Sequence, residues 1–430
     1  MKIIELRPLS KPVTQSVVIP GSKSYTNRAL VMASLAHGKS LISGISESND
    51  SITMINCLKK LGIRIRRMKD QAEVIGDGGY FKKKDLVLDL NHAGTAMRFL
   101  TAVACLVPGR IVLDGSERMR NRPIRELVDA LIKLGAKISY LGQTGCPPVV
   151  VHGKNIKGGT VCVKGDISSQ YFTALLMIGP VLKEKLKIKV LGRSISRSYI
   201  DMTIGGLKDF GVRVKNNHYR EYLIEKNQYY SPVRYEVEAD SSGASYFWAV
   251  AALTRSRIKV KNINPLSVQG DIGFADVLKR MGCRIKKNIP ERWIEVEGTA
   301  KLKGIEVDMS LMPDTAQTLA VVAAFAKGKT KITGLATLKI KETDRLQAIK
   351  NELIKMGIKS KTTNDSIIIE GGCPSSCLIN TYGDHRMAMA FAVAGSRIEG
   401  MKIEDPDVVG KSFPDFWQRL SHLGVKPVLL

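Results

Sequence analysis

Four short stretches place cations, hydroxyls and carboxylates directly ahead of apolar runs. They are GSKSYTNRAL at residues 21–30, ERMRNRPIREL at 117–127, KETDRL at 341–346 and GDHRMAMAF at 383–391. A lysine between two serines, with Arg28 five residues on, suits a doubly charged anion better than it suits a solvated face. Arg118, Arg120, Arg122 and Arg125 add guanidinium forks, whose geometry matches carboxylate and phosphate. KETDRL sets two cations and two carboxylates at a helix start, where Thr343 or Asp344 could cap. His385 and Arg386 stand before a segment too apolar for a surface helix. Together these patches point to a substrate carrying several negative charges. Other chemistries find little support. GSKS is not a P-loop, because Val17 and Ser22 stand where that motif requires glycine. No HExxH or carboxylate triplet appears among six scattered histidines, so no metal site is expected. GxSxG is absent from any strand-to-helix turn.

The elements that must carry these residues recur. An apolar-periodic helix closes on a bulky residue and a glycine, and a strand-like run follows. The pattern occurs at 51–67, 122–138, 200–214, 271–285, 344–360 and 414–427. Its glycines, Gly62, Gly135, Gly211, Gly282, Gly357 and Gly424, are 67 to 76 residues apart. Each suits the left-handed position after a helix, and the β-branched residues beyond it favour a strand. Six copies of one α/β unit of about seventy residues, grouped three and three, give two domains, as the length suggests. Each unit also holds a nearly all-apolar helix, expected to be buried. These begin at SYTNRAL, GTAMRF (94), SSQYF (168), SGASYF (242), PDTAQ (313) and GDHRM (383). Pro123 is expected in the first turn of a further helix. Several N-termini aimed at one cleft would make a strong anion site, since each offers unpaired N–H groups and a positive dipole end.

The chain has 430 residues and a formal net charge of +26. That excess is compatible with a nucleic-acid partner or with a lysine-rich surface around a small-anion site. The charge is spread along the chain, without a basic tail or aromatic RNA-binding motif, which favours the second. No run approaches the apolar length of a membrane helix. The opening MKIIELRPLSKPV lacks the apolar core of a secretory signal, so a cytoplasmic chain is expected. Seven cysteines, odd in number and scattered, are expected as reduced thiols, and Cys373 with Cys377 is a weak metal signal.

GSKSYTNRAL, HAGTAMRFLTA, RPIRELVDAL, GDISSQYFTALLM, KETDRLQA, GDHRMAMAFAVAG and GKSFPDFW together resemble the 5-enolpyruvylshikimate-3-phosphate (EPSP) synthase family of enolpyruvyl transferases, in order from residue 21 to 417. The resemblance implies an inside-out α/β barrel fold: two similar domains, each of three βαβαββ units with helices buried and sheets outside. It places one domain at 1–20 plus 240–430 and the other at 21–239, with the active site in a cleft between them. It implies transfer of the enolpyruvyl group of phosphoenolpyruvate to the 5-hydroxyl of shikimate 3-phosphate, releasing phosphate, by addition and elimination. No cofactor, metal, nucleic acid or membrane is implied, and a monomer is expected. Carried over by motif, Asp314 resembles the base, Glu342 the acid, and Lys23 the cation that helps phosphate leave. Lys23, Gly94, Thr95, Arg122, Gln170, Arg345, His385, Arg386 and Lys411 resemble contacts to phosphoenolpyruvate. Lys23, Ser24, Arg28, Ser168, Ser169, Gln170, Ser196, Tyr199, Asp314, Thr337 and Lys341 resemble contacts to shikimate 3-phosphate. His92, Phe99 and Thr337 depart from the family pattern at binding surfaces. At Gly94 a methyl group should crowd glyphosate, which takes the place of phosphoenolpyruvate in sensitive members, and sensitivity is expected. The alternatives are UDP-N-acetylglucosamine enolpyruvyl transferase, whose loop cysteine has no counterpart in SERMRNRP, and a basic nucleic-acid-binding protein.

Overall fold

The computed structural model describes residues 2–82, 85–153 and 156–430. Its contacts divide the chain into two compact units. One is Met1–Pro20 with Glu238–Leu430, and the other is Gly21–Val237. The division after Val237 falls two residues ahead of the 239/240 boundary read from sequence. The physical reason is Glu238, whose carboxylate accepts hydrogen bonds from Ser267, Asn264 and Gln269, all in the first unit.

Six four-stranded sheets are present among the described residues, three in each unit. All share one plan. In the sheet holding Gly159–Lys164, that strand runs parallel to Leu186–Leu191, which pairs antiparallel with Glu221–Ile224, itself antiparallel to Lys215–Asn217. The same parallel–antiparallel–antiparallel order recurs with Leu86–Asp89, Gly109–Asp114, Val149–Gly153 and Lys137–Tyr140. It recurs again with Glu306–Asp308, Lys329–Thr333, Ile367–Glu370 and Ser360–Thr362. The strands alternate: in Gln71–Asp77 the buried residues are Ala72, Val74 and Gly76, one face only.

The apolar helices are the second component of the fold. Lys23–Leu35, Gly94–Ala104, Ser169–Ile178, Ser241–Thr254, Ala316–Ala324 and His385–Gly395 bury nearly every side chain. Helices 94–104 and 169–178 pack together in one unit, and 316–324, 385–395 and 241–254 do so in the other. Tyr246, Phe247 and Trp248 are at most 1% exposed. Each such side chain contributes roughly 1.5–3 kcal/mol of burial. The second set of helices is half-buried and ends in the glycines, all with positive φ, from 77° at Gly357 to 111° at Gly282. Pro123 departs from expectation: it precedes the helix Arg125–Lys133, whose N-cap is Ile124. The N–H groups of Ile124 and Arg125 are instead satisfied by the Gly145 carbonyl.

Candidate active site

The sequence-predicted residues fall into two constellations, one in each unit. In Gly21–Val237, Lys23 opens its helix directly after the N-cap Ser22. Its Nζ lies 3.0 Å from Asp50 Oδ2 near the start of the helix Asn49–Lys60. Arg28, one turn on, is fully buried and cross-ties three helices. It donates to the Ser24 carbonyl (2.9 Å) on its own helix, to the Tyr199 carbonyl (3.0 Å) and Thr203 hydroxyl (2.9 Å) on the helix Arg197–Asp209, and to the Thr173 hydroxyl (3.4 Å) on the helix Ser169–Ile178. Burial pushes its guanidinium down to about 10. Its Cζ stands 5.5 Å from the Phe99 ring centroid, so the departure at position 99 supplies an aromatic face for this cation. Arg28 thereby fixes the backbone on either side of two proposed ligand contacts, Ser24 and Tyr199.

Gly94 begins its helix against Arg122. A Cβ there would lie 2.8 Å from Arg122 Cζ, so the missing side chain is what lets the guanidinium lie over the helix start. Arg98, buried behind, donates to the Gly94 and Pro123 carbonyls and holds that turn. Gln170 Nε2 donates to Thr95 Oγ1 at 3.2 Å, joining two helix starts. Ser168 caps the helix Ser169–Ile178 by accepting from the Gln170 N–H. Ser196 holds a left-handed conformation, φ 50°, ahead of the helix Arg197–Asp209, and Tyr199 lies in that helix's first turn. His92 bonds through Nδ1 to Ser116 Oγ at 2.8 Å on an exposed edge.

In the other unit the constellation is a buried ion network. Arg345 is 2% exposed. Its Nε and Nη2 grip Asp384 (2.7 and 3.2 Å), Nη2 also reaches Glu342 (2.8 Å), and Nη1 reaches Asp314 (3.1 Å). Burial alone would push this guanidinium down, but the three carboxylates hold it firmly protonated. Arg386 donates to Asp314 Oδ2 at 2.8 Å, Lys341 Nζ lies 3.9 Å from Asp314 Oδ1, and Lys411 Nζ lies 3.6 Å from Glu342 Oε1. Burial would raise the Asp314 carboxyl, yet Arg386, Lys341 and Arg345 together hold it far below the usual carboxylate range. His385 opens its helix beside the N-cap Asp384, which accepts from the Arg386 N–H. Thr337 sits half-buried in the 3-10 turn Ala336–Ile340.

Asp344 caps the helix Arg345–Lys355 by accepting from Gln347 N–H, which settles the choice between Thr343 and Asp344. Five polar partners escaped the sequence reading: Asp50, Asp384, Ser242, Tyr246 and Asp271. Only Asp384 had a local signal, since it sits inside GDHRM as a plausible N-cap. Among the described residues no group of three or more His, Cys, Asp or Glu is placed to hold a metal ion, and no helix is long and apolar enough to cross a membrane. The described cysteines are free thiols, Cys373 and Cys377 included. The arrangement is chemically that of an anion receptor, with three carboxylates, Asp314, Glu342 and Asp384, embedded among its cations.

The family model described as EPSP synthase (3-phosphoshikimate 1-carboxyvinyltransferase) matches residues 9–420. The chain is 42% identical over 437 residues to a Haemophilus influenzae 3-phosphoshikimate 1-carboxyvinyltransferase, covering 99% of this chain and 100% of that protein. It is 42% identical over 431 residues to the Escherichia coli protein of the same name, covering 98% and 99%. Among solved structures, an EPSP synthase from Acinetobacter baumannii superposes with a TM-score of 0.84 at 26% identity, covering all of both chains.

Proposed function

The chain belongs to the EPSP synthase (3-phosphoshikimate 1-carboxyvinyltransferase) family, and from that premise we propose how its residues carry the reaction. The enzyme is a transferase: it moves the enolpyruvyl group of phosphoenolpyruvate to the 5-hydroxyl of shikimate 3-phosphate and releases phosphate. In the proposed assignment Asp314 takes the 5-hydroxyl proton as oxygen attacks C2 of phosphoenolpyruvate. Glu342 delivers a proton to the methylene carbon. Lys23 neutralises the departing phosphate, and Glu342, left ionised by its proton transfer, takes back a methyl proton as the C–O bond to phosphate breaks and the enol ether forms. Arg122, Arg345, Arg386, His385 and Lys411 hold phosphoenolpyruvate, with Gly94, Thr95 and Gln170 beside it. Ser24, Arg28, Ser168, Ser169, Ser196, Tyr199, Thr337 and Lys341 hold shikimate 3-phosphate.

One observation carries the reading: two carboxylates, Asp314 and Glu342, lie among four cations in one buried network. Asp314 so strongly held by cations is a poor base. Incoming phosphate and carboxylate groups compete for those cations, loosen their grip and raise its proton affinity where a base is needed. The proposal extends to a monomeric, cytoplasmic enzyme that acts on small molecules, without nucleic acid, membrane or cofactor. The test is phosphate release from phosphoenolpyruvate, with shikimate 3-phosphate in one reaction and UDP-N-acetylglucosamine in another. Release only in the first is expected. Release only in the second would overturn the substrate assignment, and Asp314→Ala with near-wild-type turnover would remove aspartate from the mechanism.

A further inference from the structure

Behind the ion network lies a carboxylate that none of these assignments uses. Asp271, on the 3-10 turn Gly270–Gly273, is 5% exposed. Its Oδ2 accepts a hydrogen bond from the hydroxyl of Ser242, in the first turn of the helix Ser241–Thr254, while its Oδ1 is buried with no hydrogen-bond partner among the described residues. Ser242 Oγ in turn accepts from Arg386 Nη2 at 3.3 Å. The same nitrogen donates to Asp314 Oδ2 at 2.8 Å, and Arg386 Nη1 reaches the Tyr246 hydroxyl at 3.4 Å. One hydroxyl therefore links Asp271 to Arg386, and one guanidinium nitrogen donates to both Ser242 and Asp314 through its two N–H groups.

We propose that Asp271 is a positioning residue of this reaction: through the Ser242 hydroxyl it sets how tightly Arg386 grips Asp314, and so how readily Asp314 accepts a proton. The inference rests on the reading of Asp314 as the base. Its logic is electrostatic. Serine has one proton to donate. When Asp271 is ionised, that proton is drawn to it and the serine oxygen becomes a stronger acceptor for Arg386. Arg386 Nη2 then shifts its weight from Asp314 toward Ser242. A second negative charge nearby also repels the charge on Asp314. Both effects raise the proton affinity of Asp314. A neutral Asp271 does the reverse.

The charged groups that face Asp271 are few. Asp240 heads the helix that carries Ser242, Asp314 belongs to the turn Pro313–Thr315, and Arg386 belongs to the helix His385–Gly395. Lys341, Arg345 and Glu342 surround Asp314 in turn. Burial first, and then the charge of Asp314, push the Asp271 carboxyl up to about 7, against the pull of Arg386. Its charge is thus poised to change near neutrality, which gives the link a measurable signature.

The experiment follows kcat and KM for phosphoenolpyruvate across roughly pH 5.5 to 9, by phosphate release with shikimate 3-phosphate, in the wild type, Asp271→Asn and Ser242→Ala. Asp271→Asn keeps the shape and removes the charge. Ser242→Ala keeps the charge and cuts the link. The wild type is expected to gain kcat through an inflection near neutrality. Both variants should lose that inflection and turn over about tenfold more slowly at the alkaline end, with KM changed less than kcat. Folded variants that keep the wild-type profile would overturn the proposal. Should Asp271→Asn not fold, Ser242→Ala decides by the same criterion. A wild type that releases no phosphate would overturn the reaction assignment, and this proposal with it.

Discussion

Arg345 and Gly94 place opposite demands on their neighbours, and each makes a test. Arg345 bonds to Asp314, Glu342 and Asp384 at once while 2% exposed. Arg345→Met leaves the buried Asp384 and the partly buried Asp314 and Glu342 without their common partner, and we expect a loss of roughly 3–5 kcal/mol in denaturant melts. A loss under about 1 kcal/mol would mean that solvent reaches the network. Gly94→Ala instead presses a methyl group on Arg122. We expect near-native stability, KM for phosphoenolpyruvate raised about tenfold, kcat nearly unchanged, and weaker inhibition by glyphosate. Unchanged KM would show that Arg122 moves aside freely. At Asp271 the sign of the pH effect is fixed by the direction of its shift. Its carboxyl titrates near 7 folded against 3.8 for the free side chain. The fold therefore holds a proton that the unfolded chain has lost. That stabilisation is complete below about pH 4 and lost as pH rises through 7. Asp271→Asn should accordingly gain Tm relative to wild type between pH 5 and pH 8, and a constant difference would refute it. The motif residues Lys23 and Arg386 were legible in the sequence because each sits in a dense polar cluster before an apolar helix, and Arg345 because KETDRL packs two cations and two carboxylates at a helix start. Asp271 and Ser242 were not, because 29 residues separate them and each alone looks like an ordinary helix-start residue.

The repeated element was legible for a different reason: its punctuation is local. A helix that stops must satisfy its last carbonyls, and a left-handed residue does so. Gly357 is the cleanest example. Its φ is +77°, and a Cβ there would meet nothing within 4 Å. Gly357→Ala therefore isolates backbone strain from crowding and should cost roughly 1–2 kcal/mol, with Gly357→Asn costing less. Equal losses for both would mean that the turn relaxes. Strand pairing was less legible. The sheet plan joins strands far apart in sequence, such as Arg234–Glu236 beside His37–Ser43, and no periodicity announces such partners. Pro123 was misplaced by a similar non-local effect, since the Gly145 carbonyl, twenty-one residues on from Ile124, satisfies the helix start.

At the scale of the whole chain the two units differ in one respect that can be tested. Gly21–Val237 is continuous, with its own core and its three sheets closed internally. The other unit borrows its first twenty residues. Ile3–Arg7 lies in the middle of a sheet, between Met401–Glu404 and Lys426–Leu429, and Thr14–Val18 forms the edge beside Arg257–Lys261. Without them one sheet loses an interior strand and Leu6 leaves the core. We expect residues 21–237 expressed alone to melt cooperatively, and residues 238–430 alone not to. The remedy is in the geometry of the ends: Ile4 pairs with Leu429 in antiparallel register, and the Leu430 N–H donates to the Ile3 carbonyl at 3.0 Å. A hairpin turn of about three to five residues joining 430 to 2 would restore the missing strands in continuous order. A chain running 238–430, turn, 2–20 should melt as one transition. If 238–430 melts cooperatively without this repair, the borrowed strands are ornaments on a core that the helices Ser241–Thr254, Ala316–Ala324 and His385–Gly395 already close.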